Sequence, residues 1–193
     1  MAERVEVPVT AQAASRTLKW LLTLGGLVGL YASAQLTIDK INLLSDENYV
    51  PKCSINEVLA CGNIISTDQA SAFGFPNSLI GIASFSVLTT IGVVLFTKAK
   101  LPRWVFLGVL AGSFLGTVFV SWLAYQSVFV IGALCPWCMV VWGMTVPIFG
   151  LTLRDLFKTS SNMTLRAFEP VAGVFVLGWI VAVGALIAIW QYL

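Results

Sequence analysis

Five apolar runs, at about 19–38, 77–97, 104–124, 135–153 and 170–191, alternate with polar stretches along the chain. A helix needs about 20 apolar residues to cross a bilayer, so each run is long enough to span one. Residues 104–153 hold fifty consecutive positions without Asp, Glu, Lys or Arg, which leaves room for two spans and a tight turn. The pattern predicts an all-α polytopic membrane bundle of five transmembrane helices. No linker, low-complexity tract or 20–50-residue repeat interrupts it, so residues 19–193 read as one membrane domain behind a polar tail, 1–18, expected to be disordered.

Composition agrees: 58% of the 193 residues are hydrophobic and 10% charged, against about 25% charged in soluble domains. The placement of the cations matters more than the net charge. Arg4, Arg16, Lys19, Lys98, Lys100, Arg103, Arg154, Lys158 and Arg166 fall on one side of the predicted spans, and only Lys40 and Lys52 on the other. The positive-inside rule then puts the N-terminus in the cytoplasm and the long 39–76 loop outside, in a multi-pass protein of the cytoplasmic (inner) membrane. A basic start followed by Ala32-Ser33-Ala34 also resembles a signal peptide with its cleavage site. The apolar character continues through Ile38, which favours a retained span.

The outer loop is mildly acidic, with Asp39, Asp46, Glu47, Glu57 and Asp68. Ser54 and Glu57 have the spacing of a capping box and predict a short helix from Ile55 to Cys61, with Gly62 as its stop. Phe73-Gly74-Phe75-Pro76 suits either a segment dipping into the membrane interface or an aromatic belt ahead of the second span. Asn77 after Pro76 reads first as a helix N-cap and second as a donor aimed into the bundle at a ligand carbonyl. Gly108, Gly112 and Gly116 have small-xxx-small spacing and predict close helix packing, without chemistry.

The chemistry lies in four cysteines in a chain without histidine. Cys53 and Cys61 lie in the loop, and Cys135-Pro-Trp-Cys138 opens the fourth span. Pro136 suits the first helical position, which places Cys135 at the positive end of the helix dipole, where a thiolate is favoured. Cys135, Cys138, Met139 and Trp142 share one helical face. A dithiol at the water boundary leading to a Met/Trp surface suggests a route from aqueous thiols to an apolar two-electron acceptor such as a quinone. Two structural disulfides and a four-cysteine zinc site are the competing readings. Cys-x-x-Cys is a poor structural staple, and the seven-residue gap of the first pair is wider than usual zinc spacing. Haem lacks a histidine ligand, no dinucleotide fingerprint supports flavin or NAD, and no basic aromatic-interleaved surface supports nucleic acid.

Cys53-x₇-Cys61, Ser66-Thr67, Phe73-Gly74-Phe75-Pro76-Asn77-Ser78 and Cys135-Pro-Trp-Cys138, in this order, resemble the vitamin K epoxide reductase family, with similarity from about 18 to 191. The chain is most similar to the bacterial homologues without a fused thioredoxin-like domain. The resemblance implies a helix bundle around a quinone (menaquinone or ubiquinone), capped by the loop. It implies that Cys138 reacts with the quinone and Cys135 is its partner, that Cys61 exchanges with Cys135, and that Cys53 meets the external thiol protein. That partner is expected to be a separate thioredoxin-like or DsbA-like extracytoplasmic protein. The resemblance turns Asn77 into a quinone ligand rather than a cap. Vertebrate members carry a tyrosine where this chain has Trp142. Met139, Phe73 and Phe75 complete the expected surroundings of the quinone. A quinone epoxide reductase using the same cysteines is the alternative activity.

Overall fold

The computed structural model describes residues 11–12, 14–46, 48–56, 58–97, 99–158, 163–167 and 169–190. The helices run in the order α1 (Arg16–Ser45), the one-turn α2 (Cys61–Ile65), α3 (Asn77–Phe96), α4 (Arg103–Ile131), α5 (Pro136–Lys158), the short α6 (Met163–Ala167) and α7 (Glu169–Trp190). Among the described residues, five of these (α1, α3, α4, α5 and α7) are long and apolar enough to cross a membrane, as the hydropathy pattern predicts.

The first span begins earlier and ends later than the apolar run. Ser15 caps it, its hydroxyl accepting from the Leu18 N–H at 3.2 Å, while the Ser15 N–H donates to the Asp155 carboxylate at 2.7 Å. Leu18 is fully buried. Ahead of it, β1 (Ala11–Gln12) pairs antiparallel with β2 (Leu101–Pro102). The described part of the expected disordered tail is therefore anchored, because a cap, a strand pair and a buried leucine hold it; residues 1–10 lie outside the described residues. At its other end α1 continues past Ile38 to Ser45, since its terminal polar side chains find partners in the cysteine-bearing loop.

α1 packs against α3 and α5, and α5 against α4 and α7. Lipid tails are as apolar as leucine, so close backbone approach decides helix association in a bilayer. The α1–α3 seam shows it: a methyl group at Gly29 would lie 2.5 Å from the Phe85 ring, and one at Gly92 would lie 2.7 Å from the Thr23 backbone nitrogen. α7 sits at the periphery on α5 and is tied to α4 by the Trp179 indole N–H, which donates to the Ser121 hydroxyl at 2.8 Å. α3 and α4 are consecutive in the chain yet scarcely touch, and a cavity opens between them.

The loop differs from its sequence reading. Residues 55–56 and 58–60 are not helical. The Asn56 side-chain oxygen accepts the N–H groups of Val58 (3.0 Å) and Leu59 (2.6 Å), a local turn that competes with helix formation. Leu59 then forms a parallel bridge with Leu134, the Leu134 N–H donating to Val58 O at 2.8 Å and the Ala60 N–H to Leu134 O at 3.0 Å. The helix starts at Cys61, where the other reading ended it, and Gly62 lies inside it rather than stopping it. Ser54 does serve this helix start, its hydroxyl accepting the Gly62 N–H at 3.2 Å. Glu57, the other half of the expected capping box, lies outside the described residues.

Candidate functional site

The Leu59–Leu134 bridge fixes the site. It lies two residues before Cys61 and one before Cys135, so pairing the two backbones brings the two sulfurs together. Cys53 and Cys61 form a disulfide, and Cys135 and Cys138 are thiols. The Cys135 Sγ lies 3.2 Å from the Cys61 Sγ. Both are fully buried, whereas Cys53 retains 8% of its surface. Gly132, in the left-handed region at φ 69°, ends α4 and turns the chain into this bridge.

Cys135 immediately precedes the spanning helix α5. The Cys138 N–H donates to its sulfur at 3.4 Å. The Cys138 thiol, followed by the N–H groups of Cys138 and Trp137, holds the Cys135 thiol below its ordinary range, against the opposing effects of burial and the Asp39 charge. The two N–H groups are the donors expected at a helix start, and the neighbouring thiol adds to them. A thiolate so stabilised, 3.2 Å from one sulfur of a disulfide, has the composition and proximity that thiol–disulfide exchange requires.

On the other side of the disulfide stands Asp39, 6% exposed. Its Oδ1 accepts from the Tyr49 hydroxyl at 2.8 Å, and its Oδ2 lies 3.6 Å from the Cys53 Sγ. Next along α1, the Lys40 ammonium donates to the Ile65 carbonyl at 2.7 Å. Sequence reasoning placed Asp39 among the loop acids and Lys40 among the outer cations, and gave neither a role. The legible signal was an Asp-Lys pair directly after twenty-odd apolar residues, since ionisable groups at membrane depth need a partner.

A cavity of about 590 Å³ lies between α3 and α4 and reaches Cys138. Trp142, Asn77 and Lys40 also form part of its wall, which is otherwise mostly apolar. Trp142 is nearly buried, at 3% exposure. Asn77 is the first residue of α3 rather than its N-cap. Its Nδ2 donates to the Gln69 carbonyl at 2.6 Å, and its Oδ1 accepts the Ala72 N–H at 3.1 Å, so the side chain staples the returning loop to the helix.

The remaining expected residues stand outside the cavity wall. Met139 shares a helical face with Cys135 but turns into the packed cluster of Val120, Ala124 and Val146. Phe73 and Phe75 are 59% and 43% exposed, with Phe73 against the Phe119 ring, whose centroid lies 5.4 Å away. Phe119, unlike Phe73 and Phe75, is among the aromatic side chains that line the cavity. Gly108 and Gly112 are not packing contacts either: a methyl group at each would meet open space, and both line the cavity.

No curated protein matches the chain. The sequence profile of the vitamin K epoxide reductase family, whose chemistry is thiol–disulfide or quinone-linked oxidoreduction, matches residues 20–153. That match runs from α1 into α5 and takes in all four cysteines and both walls of the cavity. It covers more than half of the chain, so this protein belongs to the vitamin K epoxide reductase family.

Proposed function

We propose that the protein is a quinone-dependent thiol–disulfide oxidoreductase of the cytoplasmic membrane, which oxidises a separate thioredoxin-like or DsbA-like protein on the extracytoplasmic side. The observation that carries this reading is the line of sulfurs. It runs from Cys53, the least buried of the disulfide pair, through Cys61 and across 3.2 Å to Cys135, and ends at Cys138 in the cavity wall. A structural disulfide would not need a second, unlinked thiol at that distance.

The exchange steps follow from which sulfurs are reachable. A partner thiolate attacks Cys53 and Cys61 leaves as a thiolate. The partner's second thiol then displaces Cys53, so the partner departs with a disulfide and the loop holds two thiols. Cys61 attacks Cys135 of an oxidised Cys135–Cys138 pair, and Cys138 leaves as a thiolate at the cavity wall. Each transfer breaks one S–S bond and makes another.

The cavity fits a quinone: its volume of about 590 Å³ lies within the roughly 300–1,000 Å³ of small-molecule sites, and it combines an apolar wall with few polar groups. A bound quinone supplies a two-electron, two-proton acceptor. Asn77 keeps one amide hydrogen beyond the one given to Gln69, enough to donate to a quinone oxygen. Trp142 closes the wall beside Cys138. The Lys40 ammonium adds positive charge near the same end, which favours a reduced, more negative ring.

The test is to mix purified protein with a reduced periplasmic-type dithiol protein and menaquinone or ubiquinone, and to follow quinone absorbance beside Cys138→Ser. Quinone loss matched one-for-one by new partner disulfide, and absent in the variant, is the expected result. Equal turnover by Cys138→Ser would sink the assignment.

A further inference from the structure

Asp39 is a buried carboxylate with no part in the exchange steps above. Taking a carboxylate out of water is costly unless it is paired or hydrogen-bonded, and among the described residues this one is met by one hydroxyl and one sulfur. The Tyr49 O–H fixes Oδ1 at 2.8 Å, which orients Oδ2 toward Cys53 at 3.6 Å. A disulfide sulfur has no hydrogen to give, so in the state seen here Oδ2 faces a group that cannot donate to it. The same sulfur as a thiol would donate directly to Oδ2.

We propose that Asp39 is the proton acceptor for Cys53 when the loop disulfide closes. This rests on the relay described under the proposed function. After Cys61 has attacked Cys135, the two are joined and Cys53 is a thiol. Cys53 Sγ then attacks Cys61 Sγ; the Cys53–Cys61 bond forms, the Cys61–Cys135 bond breaks, and Cys135 leaves as a thiolate. The proton on Cys53 passes to Asp39 Oδ2 and from there to water at the loop surface, past the half-buried Tyr49. No net oxidation or reduction occurs in the step. The structure holds its product: a closed Cys53–Cys61 bond, a released Cys135 and the carboxylate still beside the sulfur.

The need for such a group follows from burial. Cys53 is 8% exposed, and a buried thiol loses its proton to water reluctantly. Cys135 has a helix start to stabilise its thiolate; Cys53 precedes no helix. Among the described residues, the titratable groups around Asp39 are Tyr49 and Cys53 of the loop, Cys61 of α2, Cys135 ahead of α5, which feels the carboxylate's charge, and Lys40 on α1, whose ammonium is turned to Ile65. α3, which packs against α1, carries no titratable side chain.

The step is read by counting thiols. Fully reduced, full-length protein in lipid nanodiscs is mixed with two equivalents of a short-tailed ubiquinone, quenched in acid, alkylated and weighed. Wild-type protein is expected to lose thiols in two pairs, Cys135 and Cys138 first, then Cys53 and Cys61. Asp39→Asn, close to isosteric and still able to accept from Tyr49, is expected to lose the first pair with normal amplitude, which reports an intact fold. Loss of its second pair should slow on the order of 100-fold near about pH 6, the lower range for general acid–base catalysis. The deficit should shrink as pH rises through about 8.5, where a thiol ionises unaided. A second phase identical to wild type at every pH would overturn the inference, and so would a deficit independent of pH, which marks a structural role. Failure of wild-type protein to lose even the first pair would instead overturn the quinone relay on which the inference stands.

Discussion

The α1–α3 seam and the α3–α4 gap use the same residue in opposite ways. At the seam, Gly92 lets the α1 and α3 backbones meet and Gly29 makes room for the Phe85 ring, so closely that no side chain fits at either. At the gap, Gly108 and Gly112 face α3 with nothing within 4 Å of where a methyl group would stand. In the first place glycine removes a side chain so that protein can fill the space. In the second it removes a side chain so that the space remains, and that space reaches Cys138. A helix bundle that holds a lipid-soluble molecule needs both: a seam rigid enough to hold α1 and its carboxylate in register, and a slot that its neighbours leave unfilled.

The largest effect should come from breaking the seam. Gly92→Leu forces a branched side chain against the Thr23 backbone, which cannot rotate away. Overpacking of well-packed sites costs about 1–3 kcal/mol, and a backbone neighbour puts this site at or above about 3 kcal/mol. Thermal unfolding in nanodiscs is expected to show a large drop or no folded protein at all. A change of a few tenths of a kcal/mol would mean that α1 and α3 can separate, and the contrast with the gap would dissolve.

Gly112→Leu tests the other half. With open space at the site nothing opposes leucine's helix preference over glycine, so stability should hold or rise by up to about 1 kcal/mol. The added side chain projects into the slot, so a quinone with a long isoprenoid tail should show a KM raised about tenfold, equal to about 1.4 kcal/mol. A tail-less quinone should be affected far less. Equal effects on the two would show that the slot houses the ring rather than the tail. A large loss of stability would show that α3 and α4 close on each other in the membrane.

The bundle was legible because five spans depend on local hydropathy, and each apolar run became a helix. The sulfur pairing was legible as residue types at a spacing, but its geometry was not. Cys61 and Cys135 meet through a backbone bridge between Leu59 and Leu134, and no side-chain pattern announces a bridge of one residue pair. The Ser54–Glu57 spacing pointed to a helix where Asn56 instead turns the chain, because a side-chain hydrogen bond to the backbone competes with helix over so short a stretch. Asp39 was visible as a charge, but its proximity to Cys53 depends on how far α1 extends past Ile38. The glycine repeat on α4 carried no sign of whether its face would be covered. Spacing reports which residues share a face and is silent about what stands opposite, and that separates Gly112 from Gly92.

Gly116 lies between the two extremes, and its expected effect is the smallest. A methyl group there would stand 3.1 Å from Thr145 Cγ2, tight but against a side chain. Thr145 cannot simply rotate, since its hydroxyl donates to the Val141 carbonyl at 2.8 Å, so α4 and α5 would have to part by a few tenths of an ångström. Replacing glycine by alanine within a helix gains about 1 kcal/mol, and the squeeze opposes it. Gly116→Ala is therefore expected to leave stability within about 0.5 kcal/mol of wild type by the same unfolding measurement. A gain near the full helix value would show that the α4–α5 wall has slack and that the slot can widen for its occupant. A loss above about 1 kcal/mol would show a wall as tightly packed as the α1–α3 seam, with the volume of the slot set by its glycines alone.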